Sequence, residues 1–319
     1  MISLDKLQAV KTIVVHENCA DGLASAILLK DAFFGRDIPI KFVQYTTPEH
    51  KALVAEPGML FADFSPPPER VQEFVDVGAL VLDHHKTAKS VVEAFGEDGI
   101  FGDEVADPGI CGATLAYQHV WKPLRGQLAI QDVFARRLAM LAGVRDTWQR
   151  KSEHWRDACL QQQVLTFIPR ERWMSKTLTE IAAAWDSEYA WIGTLLQEKQ
   201  EKTVQKIVEK SYRFTTEKGT RVVVFEGVRQ TSDTAEALHD SVDLVIGFNY
   251  EVENGTPKII FSTRSHTYFD CAAMCKAHGG GGHTKAAGCN QILVLEDPGG
   301  TPNPYTAAKA FVSQWEAKL

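Results

Sequence analysis

The sequence predicts an α/β protein: an N-terminal parallel sheet joined by a linker helix to a smaller α/β C-terminal part. Three observations predict it. Short β-branched and apolar runs alternate with helical stretches over the first hundred residues, and strand, helix, strand with short turns is the pattern of a parallel sheet covered by helices. Several of these runs end in groups that are costly to bury unless paired or bound: His16, Asp63 and the triplet Asp83-His84-His85. After a long polar helical stretch the apolar runs resume, two of them flanking the hairpin signal Asn254-Gly255.

In chain order, Lys11 to Val15 reads as a buried strand ending at His16, followed by Asp21 and a helical pattern from Leu23 to Phe34. Asp is a good N-cap, but His16 five residues earlier makes a ligand pair the better account of Asp21. The next strand runs from Pro39 to Tyr45. A third, Gly58 to Ala62, delivers Asp63 into a loop stiffened by Pro66-Pro67-Pro68. A helix from Pro68 to Val77 and a strand from Ala79 to Leu82 lead to Asp83-His84-His85. Ligands bind beyond the carboxyl ends of the strands in such sheets, so these ends point to one assembled site.

Farther on, Asp107-Pro108 opens a helix through about Trp121, with Asp107 as its cap. A helix from Asp132 to Ala142 leads into Asp146. An Asp closing a helix sits at the wrong end of the macrodipole, so Asp146 has another purpose, metal or substrate. His119 and His154 have no such context and read as ordinary histidines. Glu188 to Ser211 is a solvated linker helix. Strand Arg221 to Phe225, helix Asp233 to Asp240 and strands Asp243 to Tyr250 and Lys258 to Thr263 follow, the last delivering Arg264-Ser265-His266. Helix Asp270 to Ala277 precedes Gly279 to Gly282 and His283; a strand from Gln291 to Leu295 and a helix from Tyr305 to Leu319 close the chain.

Composition narrows the function. At 319 residues the chain suggests two domains, placed at 1–187 and 215–319 with the linker helix at 188–214. With 45% hydrophobic and 24% charged residues it reads as a soluble globular protein. No apolar run approaches a membrane span, and residues 1–11 lack the layout of a signal peptide. Six scattered cysteines without a CxxC pair read as reduced thiols of a cytoplasmic protein. Cys271 and Cys275, one helical turn apart without a second pair, read as core thiols rather than a zinc site. A net charge of -7 argues against coating long nucleic acid, yet leaves room for a small anionic substrate in a local basic pocket.

His16, Asp21, Asp63, His84 and Asp146 together offer two imidazoles and three carboxylates. Mixed oxygen and nitrogen donors suit Mn²⁺, and less selectively Mg²⁺, Fe²⁺, Co²⁺ or Zn²⁺. A carboxylate shared by two ions serves in-line attack on phosphorus, and the ions acidify water near neutral pH. Asp83 fits a supporting role, orienting a ring or setting its tautomer. His85, if not a ligand, is placed to donate to a phosphoryl oxygen. In the C-terminal part, the glycine run with Ala286, Ala287 and Gly288 looks built for close backbone approach to an anion. Arg264 supplies a fork suited to phosphate.

These residues resemble the DHH phosphoesterases. The His16…Asp21 element, Asp63, the Asp83-His84-His85 triplet and Asp146-Thr147 look like the four motifs of that family. The stretch from Ser262 through Gly279–Gly282, His283 and Gly288 looks like its DHH-associated C-terminal domain, so the resemblance spans nearly the whole chain. It implies a two-domain fold with a cleft between lobes, Mn²⁺ dependence with one or two ions, and hydrolysis of phosphoester or phosphoanhydride bonds. Carried over by motif, His16, Asp21, Asp63, His84 and Asp146 are metal ligands. Asp63, Asp83 and His85 serve catalysis, and Arg264, Ser265, Gly281, Gly282 and His283 hold the substrate's phosphate.

One departure stands out. Many family members carry two aspartates in the first motif, separated by one residue, whereas here Cys19 stands two before Asp21. One metal site is therefore short of a carboxylate, or uses Asn18 or Cys19. The compact chain lacks the added nucleic-acid-binding domain of RecJ-type exonucleases and the membrane and sensory segments of cyclic-dinucleotide phosphodiesterases. Its Gly-rich His motif is foreign to family II pyrophosphatases. What remains resembles the nanoRNase group, whose substrates are linear dinucleotides such as pGpG and very short oligonucleotides. 3′-Phosphoadenosine 5′-phosphate or another small phosphoester is the alternative, and a non-catalytic nucleotide-binding relative a third reading. Trp148, just after Asp146, is the candidate for base stacking; a homodimer is left open.

Overall fold

The computed structural model describes residues 2–17, 19–45, 47–126, 129–253, 255–292 and 303–318. Asn18, Asn254 and residues 293–295 of the expected last strand lie outside them. The chain divides into two compact units, Met1–Glu198 and Lys199–Leu319, and the boundary falls inside the polar helix Ala190–Lys210.

The first unit is built on five strands: β1 (Thr12–His16), β2 (Ile40–Val43), β3 (Met59–Ala62), β4 (Leu80–Asp83) and β5 (Gly99–Phe101). All pair in parallel, in the order β2-β1-β3-β4-β5. Strands buried on both faces read as continuous apolar runs, and alternate residues serve opposite faces. Ile13, Val15, Leu60, Ala62, Leu80 and Leu82 pack into one core with the helix Ala20–Ala32. Val14, Met59, Phe61 and Val81 pack into another with Phe74, Val91 and Val92. Of the thirteen residues of Ala20–Ala32 all but Lys30 are buried, the signature of a helix inside a core rather than upon it.

One expected helix starts later, the expected last strand starts earlier, at Ala286, and β5 was not expected. The helix placed from Asp107 begins only after Cys111, as Gly112–Ala116 continued by a wider turn, Tyr117–Trp121. Gly109 has φ +99°, a left-handed conformation that a helix cannot pass through, so Asp107-Pro108 lies in a turn. β5 escaped notice because Gly99-Ile100-Phe101 is too short to show a period. Asp146, by contrast, is the last residue of the helix Ala129–Asp146, at the end where an acid opposes the dipole.

The second unit is a mixed six-stranded sheet: β6 (Tyr212–Thr215), β7 (Arg221–Glu226), β8 (Leu244–Glu253), β9 (Thr256–Arg264), β10 (Gly281–His283) and β11 (Ala286–Ile292). Their order is β10-β11-β9-β8-β7-β6, with β7 and β8 parallel and the other pairs antiparallel. Cys271, Cys275 and Cys289 belong to its core. The glycine run is not simply a loop: Gly281 and Gly282 pair with Gly288 and Ala287. A Cβ on Gly280 would lie 2.1 Å from the Gly288 carbonyl, so strand-to-strand contact itself demands glycine there.

Candidate metal centre

The order of the first sheet reverses between β1 and β3, and open α/β sheets bind ligands outside the strand ends at such a switch point. His16 is the last residue of β1, Asp63 follows β3, and Asp83 ends β4 with His84 and His85 after it. Asp21 sits in the first turn of Ala20–Ala32. Close approach requires two glycines. A Cβ on Gly22 would lie 2.3 Å from the His16 carbonyl, and one on Gly112 would lie 2.2 Å from the Asp63 Cβ.

All five expected ligands come together. Asp63 is fully buried, and its two oxygens face different imidazoles: Oδ1 lies 3.2 Å from His84 Nε2, and Oδ2 lies 3.5 Å from His16 Nδ1. His84 Nε2 also lies 3.7 Å from Asp21 Oδ2 and 3.5 Å from Asp146 Oδ2. Donor atoms of His16, Cys19 and Asp63 fall within 4.8 Å of one another, and so do those of Asp21, His84 and Asp146. His85 Nδ1 lies 2.7 Å from Asp83 Oδ1 and 3.9 Å from Asp63 Oδ1. The Asp63 backbone is left-handed at φ +55°, uncommon outside glycine although Asp adopts it more readily than most residues.

Around these lies a set of supporting groups that the sequence did not reveal. Gln44 Oε1 meets His16 Nε2 at 2.7 Å, which leaves Nδ1 facing Asp63. Glu104 Oε1 meets His84 Nδ1 at 3.1 Å. Asp83 Oδ2 accepts from Ser65 Oγ at 2.5 Å and from Tyr45 Oη at 2.9 Å. Such partners fix the ring orientation of a metal-binding His and raise its basicity. Asp21 does cap a helix, but not its own. It accepts from the Gly112 and Ala113 amides at 2.6 and 2.8 Å, about ninety residues away; the N-cap position of Ala20–Ala32 is held by Cys19, whose side chain makes no capping hydrogen bond.

Solved structures share this architecture. PggH, a pGpG-specific phosphodiesterase from Vibrio cholerae, is 16% identical with a TM-score of 0.57, over 96% of this chain and 99% of that one. The DHH domain of a member of the s1p family of ribosomal proteins is 13% identical with a TM-score of 0.64, over 97% and 87%. The chain has the fold of these DHH proteins. RecJ from Thermus thermophilus, in complex with Mn²⁺, is 18% identical with a TM-score of 0.54, over 99% of this chain and 53% of that one. No protein-family model and no curated protein matches the sequence.

Within this DHH fold, the donor set fits a divalent cation on physical grounds. His16 Nδ1 and Asp63 Oδ2 are buried with no hydrogen-bond partner, and orphaned buried polar atoms of this kind need an explanation. Burial, then the charges of Asp63 and Asp146, push the Asp21 carboxyl well above its usual range. Burial works the same way on Asp63, but the nearby His16 ring, the hydrogen bond from His84 and the charge of His85 hold it well below. For His84, burial favours the neutral ring, yet the bonds to Asp63 and Glu104 and the nearby carboxylates raise it well above its ordinary value. The same opposition raises His85 to about 9, burial being outweighed by the bond to Asp83 and the charges of Asp83 and Asp63. Carboxylates gathered around imidazoles attract positive charge, whether proton or metal.

The expected phosphate-holding residues belong to the second unit. Arg264 ends β9, where its Nε donates to Ser232 Oγ at 2.9 Å and its Nη1 to the Thr263 carbonyl at 2.8 Å. Ser265 Oγ donates to the Asp243 carbonyl at 2.9 Å. Gly281 has open space where a Cβ would stand, and Gly282 is left-handed at φ +141°. His283 ends β10; its side chain lies outside the described set. Trp148, left-handed at φ +55°, has the Arg145 guanidinium 4.4 Å from its ring centroid.

Proposed function

We propose that the chain is a Mn²⁺-dependent phosphodiesterase that hydrolyses linear dinucleotides such as pGpG, or very short oligonucleotides, to mononucleotides. The observation that carries this reading is Asp63, whose two oxygens face the imidazoles of His16 and His84. His16 and Asp63 would hold one ion and Asp21, His84 and Asp146 the other, with Asp63 shared. Bound there, divalent ions supply Lewis acidity toward phosphoryl oxygens and acidify water.

The chain's own residues do the rest. Asp83 fixes the His85 ring and favours its cationic form, suited to donate to a phosphoryl oxygen and offset its charge. Tyr45 and Ser65 hold Asp83 in turn. Gln44 and Glu104 keep His16 and His84 oriented. Arg264, Ser265, Gly281, Gly282 and His283 are proposed to hold a substrate phosphate, and the three supporting features are an Arg fork at a strand end, a glycine with open space and the neighbouring hairpin. A dinucleotide phosphodiesterase in the same fold, PggH, adds to the reading. Among the described residues no helix is long and apolar enough to cross a membrane, and six free cysteines suit a reducing, cytoplasmic setting.

The test is a substrate panel with Mn²⁺: pGpG, pApA, longer single strands and 3′-phosphoadenosine 5′-phosphate. Dinucleotides should be cleaved to mononucleotides far faster than long strands. Digestion of long strands at equal rate would overturn the short-substrate reading. Exclusive release of phosphate from 3′-phosphoadenosine 5′-phosphate would make the chain a phosphatase instead.

A further inference from the structure

We propose that Cys19 is a metal ligand, its thiolate joining His16 Nδ1 and an Asp63 oxygen in a sulfur-containing site for a borderline-soft divalent cation such as Zn²⁺. The inference rests on the metal reading of the centre and goes beyond it by making the two donor groups chemically unlike.

Position comes first. Cys19 occupies the N-cap of Ala20–Ala32 in extended conformation, φ -123° and ψ 135°, with no capping hydrogen bond from its side chain. Ser, Thr, Asp or Asn would be the residue chosen for capping, so capping does not account for a cysteine here. Its sulfur lies in a group with a ring nitrogen of His16 and an Asp63 oxygen, all within 4.8 Å of one another. Two donors that face this group, His16 Nδ1 and Asp63 Oδ2, are buried without a partner, and Asp63 is wholly inaccessible to solvent. Gln44 engages the other imidazole nitrogen of His16, the arrangement that fixes a metal-binding tautomer.

Donor chemistry then separates the two groups. Asp21, His84 and Asp146 offer two carboxylates and one nitrogen, a hard set that suits Mn²⁺ or Mg²⁺. His16, Cys19 and Asp63 offer nitrogen, sulfur and oxygen; thiolate shifts preference toward Zn²⁺ and other softer ions. Ligation exchanges the S–H bond for a sulfur–metal bond, and the proton leaves to solvent.

Cobalt(II), which replaces zinc and reports thiolate through a near-ultraviolet charge-transfer band, provides the test. The reduced full-length chain is titrated with Co²⁺, with bound metal measured separately by equilibrium dialysis. The wild-type chain should show the band. Cys19→Ser should lose it while still retaining cobalt, and Cys19→Asp should lower the affinity for Zn²⁺ relative to Mn²⁺ by about tenfold or more. If Cys19→Ser does not fold, as judged by circular dichroism, Cys19→Asp carries the same spectral comparison. Cobalt bound to the wild-type chain without the band, or a band unchanged in the variant, overturns thiolate ligation alone. A wild-type chain that retains no cobalt overturns the metal reading of the centre as well.

Discussion

Asp63 concentrates the site in one residue. It is buried, left-handed and shared between two imidazoles. An L-residue other than glycine pays about 1–2 kcal/mol for that conformation. Asp63→Gly should therefore be more stable than Asp63→Ala by about 1 kcal/mol in urea unfolding, while both lose metal binding and turnover. An Asp63→Ala chain that folds and turns over normally would sink the metal assignment. His85 gives a second test at this scale. Its proton affinity is raised from the ordinary 6.5 to about 9 against the opposing effect of burial, chiefly by Asp83. A group raised on folding adds stability that is complete below pH 6.5 and lost as pH rises through about 9. In the metal-free chain, Asp83→Asn should bring the His85 titration, followed by NMR, down toward its ordinary value and remove that part of the pH dependence. His16, Asp63, Asp83 and His84 were legible in the sequence because Asp and His at the ends of apolar strands have no packing use. Gln44, Tyr45, Ser65 and Glu104 were not, since such residues are common on any surface and only the fold brings them to the site.

At the scale of elements, the helix Gly112–Ala116 locks the centre: its first amides bind Asp21, and its glycine lets the backbone rest against Asp63. Gly112→Ala places a methyl 2.2 Å from the Asp63 Cβ and 2.9 Å from its carboxylate carbon. One of the two must move. Overpacking of this kind costs about 1–3 kcal/mol, so the variant should unfold at lower urea and bind Mn²⁺ more weakly in calorimetric titration. Unchanged Mn²⁺ affinity would show that the Asp63 position is less constrained than this contact implies. The sequence misplaced this helix start because Asp107-Pro108 carries a stronger local signal than Cys111-Gly112. Long-range demand won: the amides had to meet a carboxylate ninety residues earlier. The glycine run shows the same limit, since nothing local says that Gly280 is pressed against the Gly288 carbonyl.

At the scale of the molecule, the parallel sheet was legible because its central strands are apolar on both faces and end in polar triplets and turns. Strand order was not, because pairing β1 with β3 rather than leaving β2 between them is settled by packing far apart in sequence. The two units have separate cores, so each can respond to ligand on its own terms. All the proposed metal ligands lie in Met1–Glu198. A ligand that binds only the folded form stabilises it by about 2.7 kcal/mol at a hundred times its Kd. Mn²⁺ should therefore slow amide hydrogen exchange in β1, β3, β4 and the helix Gly112–Ala116, by about a hundredfold where exchange needs the unit to unfold. β7, β8 and β9 of the second unit should exchange at their metal-free rates. Equal protection of both units would mean that they unfold as one cooperative body, and protection confined to the second would place the metal elsewhere.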